Sequence, residues 1–192
     1  MIEVEAKMRL ADPDGVRERL ADLGAKRVSN LLETNTFFDT REGVLKASDQ
    51  GLRIRIESNG EKTPRSVITH KGPRAHGKLK SRNETEVVVA DPRDAAALLG
   101  ALGYQPVLTF EKRRERWTLD GCTVELDNMP YLGEFIEIEG RSDEEVLAVR
   151  QKLGLDDTPI LKSSYIAMLT THMRENHITL KHVRFEDAAA VV

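Results

Sequence analysis

Three segments of this chain repeat one pattern. Charged residues alternate with apolar ones, and a short helix signal follows. Glu3, Glu5 and Lys7 interleave with Ile2, Val4, Ala6 and Met8 before "ADPDGVRERLADLG". Arg82, Glu84 and Glu86 in "SRNETEVVV" precede "ADPRDAAALLGALG". Glu137 and Glu139 in "GEFIEIEG" precede "SDEEVLAVRQKLG". In a strand, successive side chains point to opposite faces, so each of these strands has one ionic and one apolar face.

The helices carry matching punctuation. Asp12 and Asp91 are N-cap candidates, with Pro13 and Pro92 at the first helical position. Ser142 and Glu145 form a candidate capping box. Gly24, Gly103 and Gly154 stand where a helix would stop.

Further alternating runs lie between the units. "LETNTFFDT" (32–40) is rich in Thr and Phe, and "GLRIRIE" sets Leu52, Ile54 and Ile56 against Arg53, Arg55 and Glu57. "RSVITHK" puts Lys71 in phase with Thr69, and "VLTFEKRRERWTL" puts Lys112, Arg114 and Arg116 in one phase. "CTVELDN" sets Val124 and Leu126 against Glu125 and Asp127. These add up to about eight strands and predict an α+β fold, a closed antiparallel β-barrel with helices packed outside.

A single alternating strand more often turns its charges to water. Here the helices decide the matter. Val16/Leu20/Leu23, Leu98/Leu99/Leu102 and Val146/Val149/Leu153 need an apolar sheet to cover. If they cover the outside of the barrel, the ionic faces line its lumen. Enclosing so many charges costs several kcal/mol per poorly compensated ion. A polyanionic ligand with a divalent cation would account for both signs: Arg and Lys suit phosphate oxygens, and clustered carboxylates suit Mg2+ or Mn2+.

Composition excludes other classes. The chain has 192 residues, enough for one compact domain, and its net charge of −3 balances 29 basic against 32 acidic residues. That is not the strongly basic balance of a general nucleic-acid binder. Cys122 is the only cysteine, so no intrachain disulfide forms. There is no apolar run of membrane-spanning length and no signal-peptide pattern, so a cytoplasmic protein is expected.

The residues also resemble a known family. "EVEAK" matches the Glu-x-Glu-x-Lys motif that opens the CYTH proteins, the triphosphate tunnel metalloenzymes. "FFDT", "LRIR", "THKGP", "SRNETE", "EKRRERW", "ELDNMPYLGEFIEIE" and "KSSYIAML" follow in the order expected for that family. The resemblance covers about residues 1–170, and the domain is placed at 1–174 with an extension at 175–192. It implies an eight-stranded tunnel in which basic residues grip a triphosphate and carboxylates hold Mg2+ or Mn2+. Carried over position by position, Lys7, Arg53, Arg55, Lys71, Arg82, Lys112 and Arg114 are substrate-binding candidates. Glu3, Glu5, Glu125, Asp127, Glu137 and Glu139 are metal candidates, and Glu84 and Glu86 complete the lining. Lys7 is also the catalytic candidate, either assisting deprotonation or compensating phosphate charge.

The chain is most similar to the class IV adenylate cyclase branch, which implies ATP as substrate and cyclic AMP and pyrophosphate as products. Hydrolysis of inorganic or thiamine triphosphate is the alternative. A non-enzymatic polyphosphate-binding module is a third reading, against which the Glu3/Glu5 and Glu137/Glu139 pairs speak.

Other features are read as bland. "GPRAHGKL" (72–79) falls short of a phosphate-binding loop, because Leu79 cannot reach a metal and no apolar-periodic helix follows. It reads as a basic hairpin loop near Lys71. Tyr165, Met168 and Leu169 read as helix packing, and Lys162 and Ser163 as neighbours of the tunnel mouth. "HITLKHVRFEDAAAVV" alternates in a way that fits an added strand or a homodimer contact, and its final run equally fits a loose end.

Overall fold

A computed structural model describes residues 2–60, 63–75 and 79–189, without the side chains of Ile2 and Glu3. Eight antiparallel strands close on themselves: β1 (Ile2–Arg9), β2 (Lys26–Asp39), β3 (Gly51–Ser58), β4 (Arg65–Ala75), β5 (Lys80–Val89), β6 (Gln105–Leu119), β7 (Cys122–Met129) and β8 (Gly133–Gly140). The order around the barrel is β2-β3-β4-β5-β1-β8-β7-β6, and a β2–β6 ladder shuts the seam. This is the barrel expected from the alternation, with β2 longer than its sequence signal.

The apolar strand faces point outward, under helices α1 (Pro13–Asp22), α3 (Pro92–Ala101) and α4 (Asp143–Lys152). Ala6, Met8, Val124, Leu126, Ile136 and Ile138 pack against Val16 and Leu20 of α1 and Val146 and Val149 of α4. On the other flank, Leu52 and Ile54 of β3 pack with Ala95 and Leu99 of α3. The expected stripe is corrected here: Leu98 and Leu102 are 58% and 64% exposed, and Leu23 is 39% exposed. Ala95 and Leu99, four residues apart, form the sheet-facing stripe, and Leu98 and Leu102 lie on a neighbouring stripe turned to water.

The caps form largely as read. Asp12 accepts from the Gly15 amide at 2.9 Å, Asp91 from Arg93 at 2.7 Å and Ser142 from Glu145 at 3.3 Å. Glu145 does not return to Ser142; its carboxylate accepts from the Arg141 amide at 3.2 Å. Each unit then turns at a glycine with positive φ: 73° at Gly24, 90° at Gly103 and 69° at Gly154.

Three further helices and a strand complete the fold: α2 (Val44–Ala47), α5 (Tyr165–Glu175), β9 (His182–Val183) and α6 (Phe185–Ala189). Tyr165, Leu169 and Met173 of α5 pack with Leu108, Phe110, Met129 and Phe135 at one end of the barrel. The C-terminal segment does add a strand, since β9 pairs in parallel with Thr109 and Phe110 of β6. The Phe185 ring then lies 4.0 Å from the Arg113 guanidinium. Residues 76–78, with His76 and Lys78 of the basic loop, and the final run at 190–192 lie outside the described residues. Among the described residues, no helix is long and apolar enough to cross a membrane.

Candidate functional site

Strand register gathers the ionic faces. Glu5 pairs with Glu139 and Lys7 with Glu137 across β1 and β8. Glu125 pairs with Glu137 across β7 and β8, and Arg114 with Asp127 across β6 and β7. These residues, with Arg53, Arg55, Lys71, Arg82, Lys112, Glu84 and Glu86, line a cavity of about 1570 Å³ inside the barrel, apart from Asp127 buried in its wall. Glu3 pairs with Arg82 through its backbone, and its side chain lies outside the description.

Arg114 organises one side. Its Nε and Nη2 donate to the two Asp127 oxygens at 2.7 and 2.6 Å, and it also contacts Glu125 and Glu137. Lys112 lies 3.2 Å from Asp127 and 3.3 Å from Glu33. Lys7 lies 3.0 Å from Glu137 and 3.6 Å from Glu5, while Lys80 reaches Glu5 at 2.8 Å. Burial works against the Lys7 charge, but Glu137 and Glu5 outweigh it and hold the ammonium above its ordinary pKa. Glu137 is likewise held well below the carboxylate range, because Lys7 and Arg114 overcome its burial.

Glu33, Asn35 and Tyr165, missed by the sequence reading, belong to this network. Glu33 is fully buried between Lys112 and Arg55, which sits 3.2 Å away. Tyr165 is corrected from simple packing: its hydroxyl donates to Asp127 at 2.8 Å, and the Lys7 ammonium lies 3.8 Å from its ring centroid.

The opposite side carries positive charge with weaker compensation. Arg55 donates to Asn35 at 3.1 Å. Arg53 Nη2 donates to Thr69 at 3.3 Å and lies 4.0 Å from Glu86, while its buried Nε has no hydrogen-bond partner. Burial and neighbouring Arg55 push Arg53 down to about 10. Burial and Arg53 push Lys71 down to about 8, even with Glu84 at 2.6 Å. Across the cavity, burial together with Glu125 and Glu137 drives Glu139 well above the carboxylate range.

The site therefore has two electrostatic deficits. Burial and like charges leave Arg53 and Lys71 short of negative compensation, and Glu139 short of positive compensation. Opposed like charges destabilise a sheet, and both Glu5–Glu139 and Glu125–Glu137 are such pairs. The donor set of carboxylate oxygens fits a hard divalent cation. Oxygens of Glu125, Asp127 and Glu137 lie within 4.8 Å of one another, but Arg114 already occupies their midst.

Comparison with known proteins agrees with this geometry. The model of the CYTH domain matches residues 1–165. An Aeromonas hydrophila protein named adenylate cyclase CyaB is 32% identical over 157 residues, 81% of this chain and 77% of the relative. Human thiamine-triphosphatase is 33% identical over 136 residues, covering 62% of this chain and 55% of that protein. The solved structure of the PH1819 protein from Pyrococcus horikoshii superposes with a TM-score of 0.75 at 29% identity, covering 88% of this chain and 98% of the other. With the closed barrel and its ionic lumen already in place, the match over residues 1–165 means that this chain belongs to the CYTH domain family.

Proposed function

We propose that this protein is a divalent-cation-dependent enzyme that converts ATP to cyclic AMP and pyrophosphate inside the barrel. The observation that carries the triphosphate reading is one cavity that holds Arg53, whose buried Nε has no hydrogen-bond partner, together with Lys71 and the opposed Glu5–Glu139 pair. Similarity to the Aeromonas cyclase over 81% of the chain favours cyclisation. Residues 1–174 are the catalytic unit and 175–192 an extension whose β9 pairs with β6, and the cytoplasm is the proposed compartment.

Arg53, Arg55, Lys71 and Arg82 grip phosphate oxygens, with Arg53 Nε offering an unused donor. Lys112 and Arg114 add positive potential while staying tied to Asp127. Glu5, Glu137 and Glu139, with Glu3, would hold Mg2+ or Mn2+, and Glu125 and Asp127 support them through Arg114. When bound, that ion supplies Lewis-acid charge to the phosphate oxygens. The ribose 3'-hydroxyl attacks the α-phosphorus in line, the bond from that phosphorus to its bridging oxygen breaks as pyrophosphate leaves, and the hydroxyl proton passes to solvent. Lys7, kept protonated by Glu137 and Glu5, compensates phosphate charge; its raised pKa disfavours a role as base.

A second reading, hydrolysis of thiamine or inorganic triphosphate, is favoured by the similarity to human thiamine-triphosphatase. The same grip serves a water aimed at the terminal phosphorus. The test supplies ATP, thiamine triphosphate and inorganic triphosphate separately, each with Mg2+ and with Mn2+, and identifies products by chromatography. Cyclic AMP with stoichiometric pyrophosphate is expected. Orthophosphate without cyclic AMP would establish the hydrolase, and tight binding without turnover would leave a binding module.

A further inference from the structure

The two ends of the cavity differ in chemistry. Where β3 and β4 meet at Glu57 and Arg65, the lining is ionic, with Glu86, Arg116 and Glu139 nearby in the barrel's register. The aromatic lining residues, Phe37, Phe38, Phe110 and Tyr165 among the described residues, all belong to the α2/α5 end. Phe38 belongs to the outer packing around Leu45 and Leu52, and Tyr165 is engaged by Lys7. Phe110, only 3% exposed, stacks on Phe37 with centroids 5.7 Å apart and planes 18° off parallel. Phe37 itself is half-buried and lines the cavity.

Phe37 also sits at the edge of the phosphate grip. It pairs with Arg53 across β2 and β3, and the Arg53 guanidinium carbon lies 6.0 Å from the Phe37 centroid. An α-phosphate held by Arg53 would carry its organic substituent onto this ring. The carboxylates at this end are largely engaged. Asp39 accepts from the amides of Thr40, Leu45 and Lys46 at 2.8, 2.9 and 3.0 Å, and Asp49 is paired with Arg74 at 2.8 Å. Exposed Glu42 lines this cavity, as do the cations Arg41, Lys46 and Arg174. A cationic ring finds little compensation there, whereas a neutral ring needs only the stacking face and the amide of Gln105.

We infer that Phe37 is the stacking platform for the organic group of the substrate, and that this end selects a neutral heteroaromatic base over a cationic ring. The inference rests on the triphosphate reading and gives the substrate a direction: base at the α2/α5 end, terminal phosphate toward Glu139.

The test measures binding by calorimetry in Mg2+ to wild type, Phe37→Leu and Phe37→Tyr. The ligands are an ATP analogue with both bridging oxygens replaced by methylene, and the same triphosphate without its nucleoside. Base–aromatic stacking predicts that Phe37→Leu weakens the ATP analogue about tenfold, with Phe37→Tyr close to wild type. The ring-free ligand should bind all three alike. Equal weakening of both ligands, or no weakening of either, overturns the platform while leaving the triphosphate site standing. Failure of wild type to bind either ligand removes the triphosphate reading and the platform with it. Thiamine triphosphate, added as competitor, should bind no more tightly than the ring-free ligand; tighter binding than the ATP analogue overturns the preference for a neutral ring.

Discussion

Arg114 grips Asp127 through two parallel hydrogen bonds of 2.7 and 2.6 Å, with both side chains buried in the barrel wall. The sequence assigns these two residues to different ligands, one to phosphate and one to metal. In the fold each is a counter-ion of the other, and removing Arg114 takes the shared cation from Asp127, Glu125 and Glu137 at once. Loss of one member of such a buried pair costs about 3–5 kcal/mol. Arg114→Ala should therefore lower the melting temperature in EDTA by about 10 °C. Millimolar Mg2+ should recover part of that loss by binding the exposed carboxylates. Scanning calorimetry with and without Mg2+ checks both statements.

Glu139→Gln separates stability from metal binding. Burial and the charges of Glu125 and Glu137 raise the Glu139 pKa, so above the unfolded value its ionisation opposes folding. The neutral amide removes that opposition. The metal-free variant should melt about 2–4 °C higher, equivalent to ~1 kcal/mol. Its Mg2+-dependent turnover should fall by at least the roughly 10–100-fold that loss of a supporting residue costs a metal site. A variant with unchanged turnover would remove Glu139 from the cation site.

Arg53→Lys keeps the charge and loses the fork. The unpartnered Nε and the weakly engaged Nη2 are the donors available for two-point contact with a phosphate. Affinity for inorganic triphosphate should fall about tenfold, the equivalent of one charge-assisted hydrogen bond. Equilibrium dialysis against wild type reads this directly.

Lys71 supplies a pH dependence with a fixed sign. Its folded pKa is about 8, below the unfolded 10.5, because burial and Arg53 disfavour the charge. The folded state releases its proton first. The resulting penalty on stability is present below about pH 8 and fades as pH rises toward 10.5. A bound triphosphate favours the ammonium, so binding takes up a proton and affinity drops as pH climbs through about 8. Lys71→Met should bind more weakly at neutral pH and lose that step. Calorimetric titrations in buffers of different ionisation enthalpy count the proton.

Much of this site is legible before any coordinates. Alternation in Glu3–Lys7, Arg53–Arg55, Lys112–Arg116 and Glu137–Glu139 assigns a face to each charge, and the helices set which face lies inside. Glu33 and Asn35 escape because β2 is polar on both faces there: Thr34 and Thr36 alternate with them and blur the period. Tyr165 escapes because helical spacing finds its packing stripe but cannot show that its hydroxyl reaches Asp127. The orientation of α3 escapes for a related reason: five alanines and leucines in succession, 95–99, fit more than one stripe, and only the sheet chooses Ala95 and Leu99. Arg114 at the centre of three carboxylates is a matter of register, which depends on how β6, β7 and β8 slide into place.

The seam between β2 and β6 also governs how the chain reaches this state. It joins Glu33 to Lys112 and Asn35 to Phe110, partners far apart in the chain, so a long loop must close before the ladder yields any return. Until then β2 and β6 are raw edges, open to pairing with another molecule. Folding should accordingly be slow for a domain of this size, with its aggregation hazard concentrated before the seam shuts. Once it has shut, the eight-stranded ring has no end from which to unzip, and its partly matched charges are trapped together by topology as much as by their own attraction.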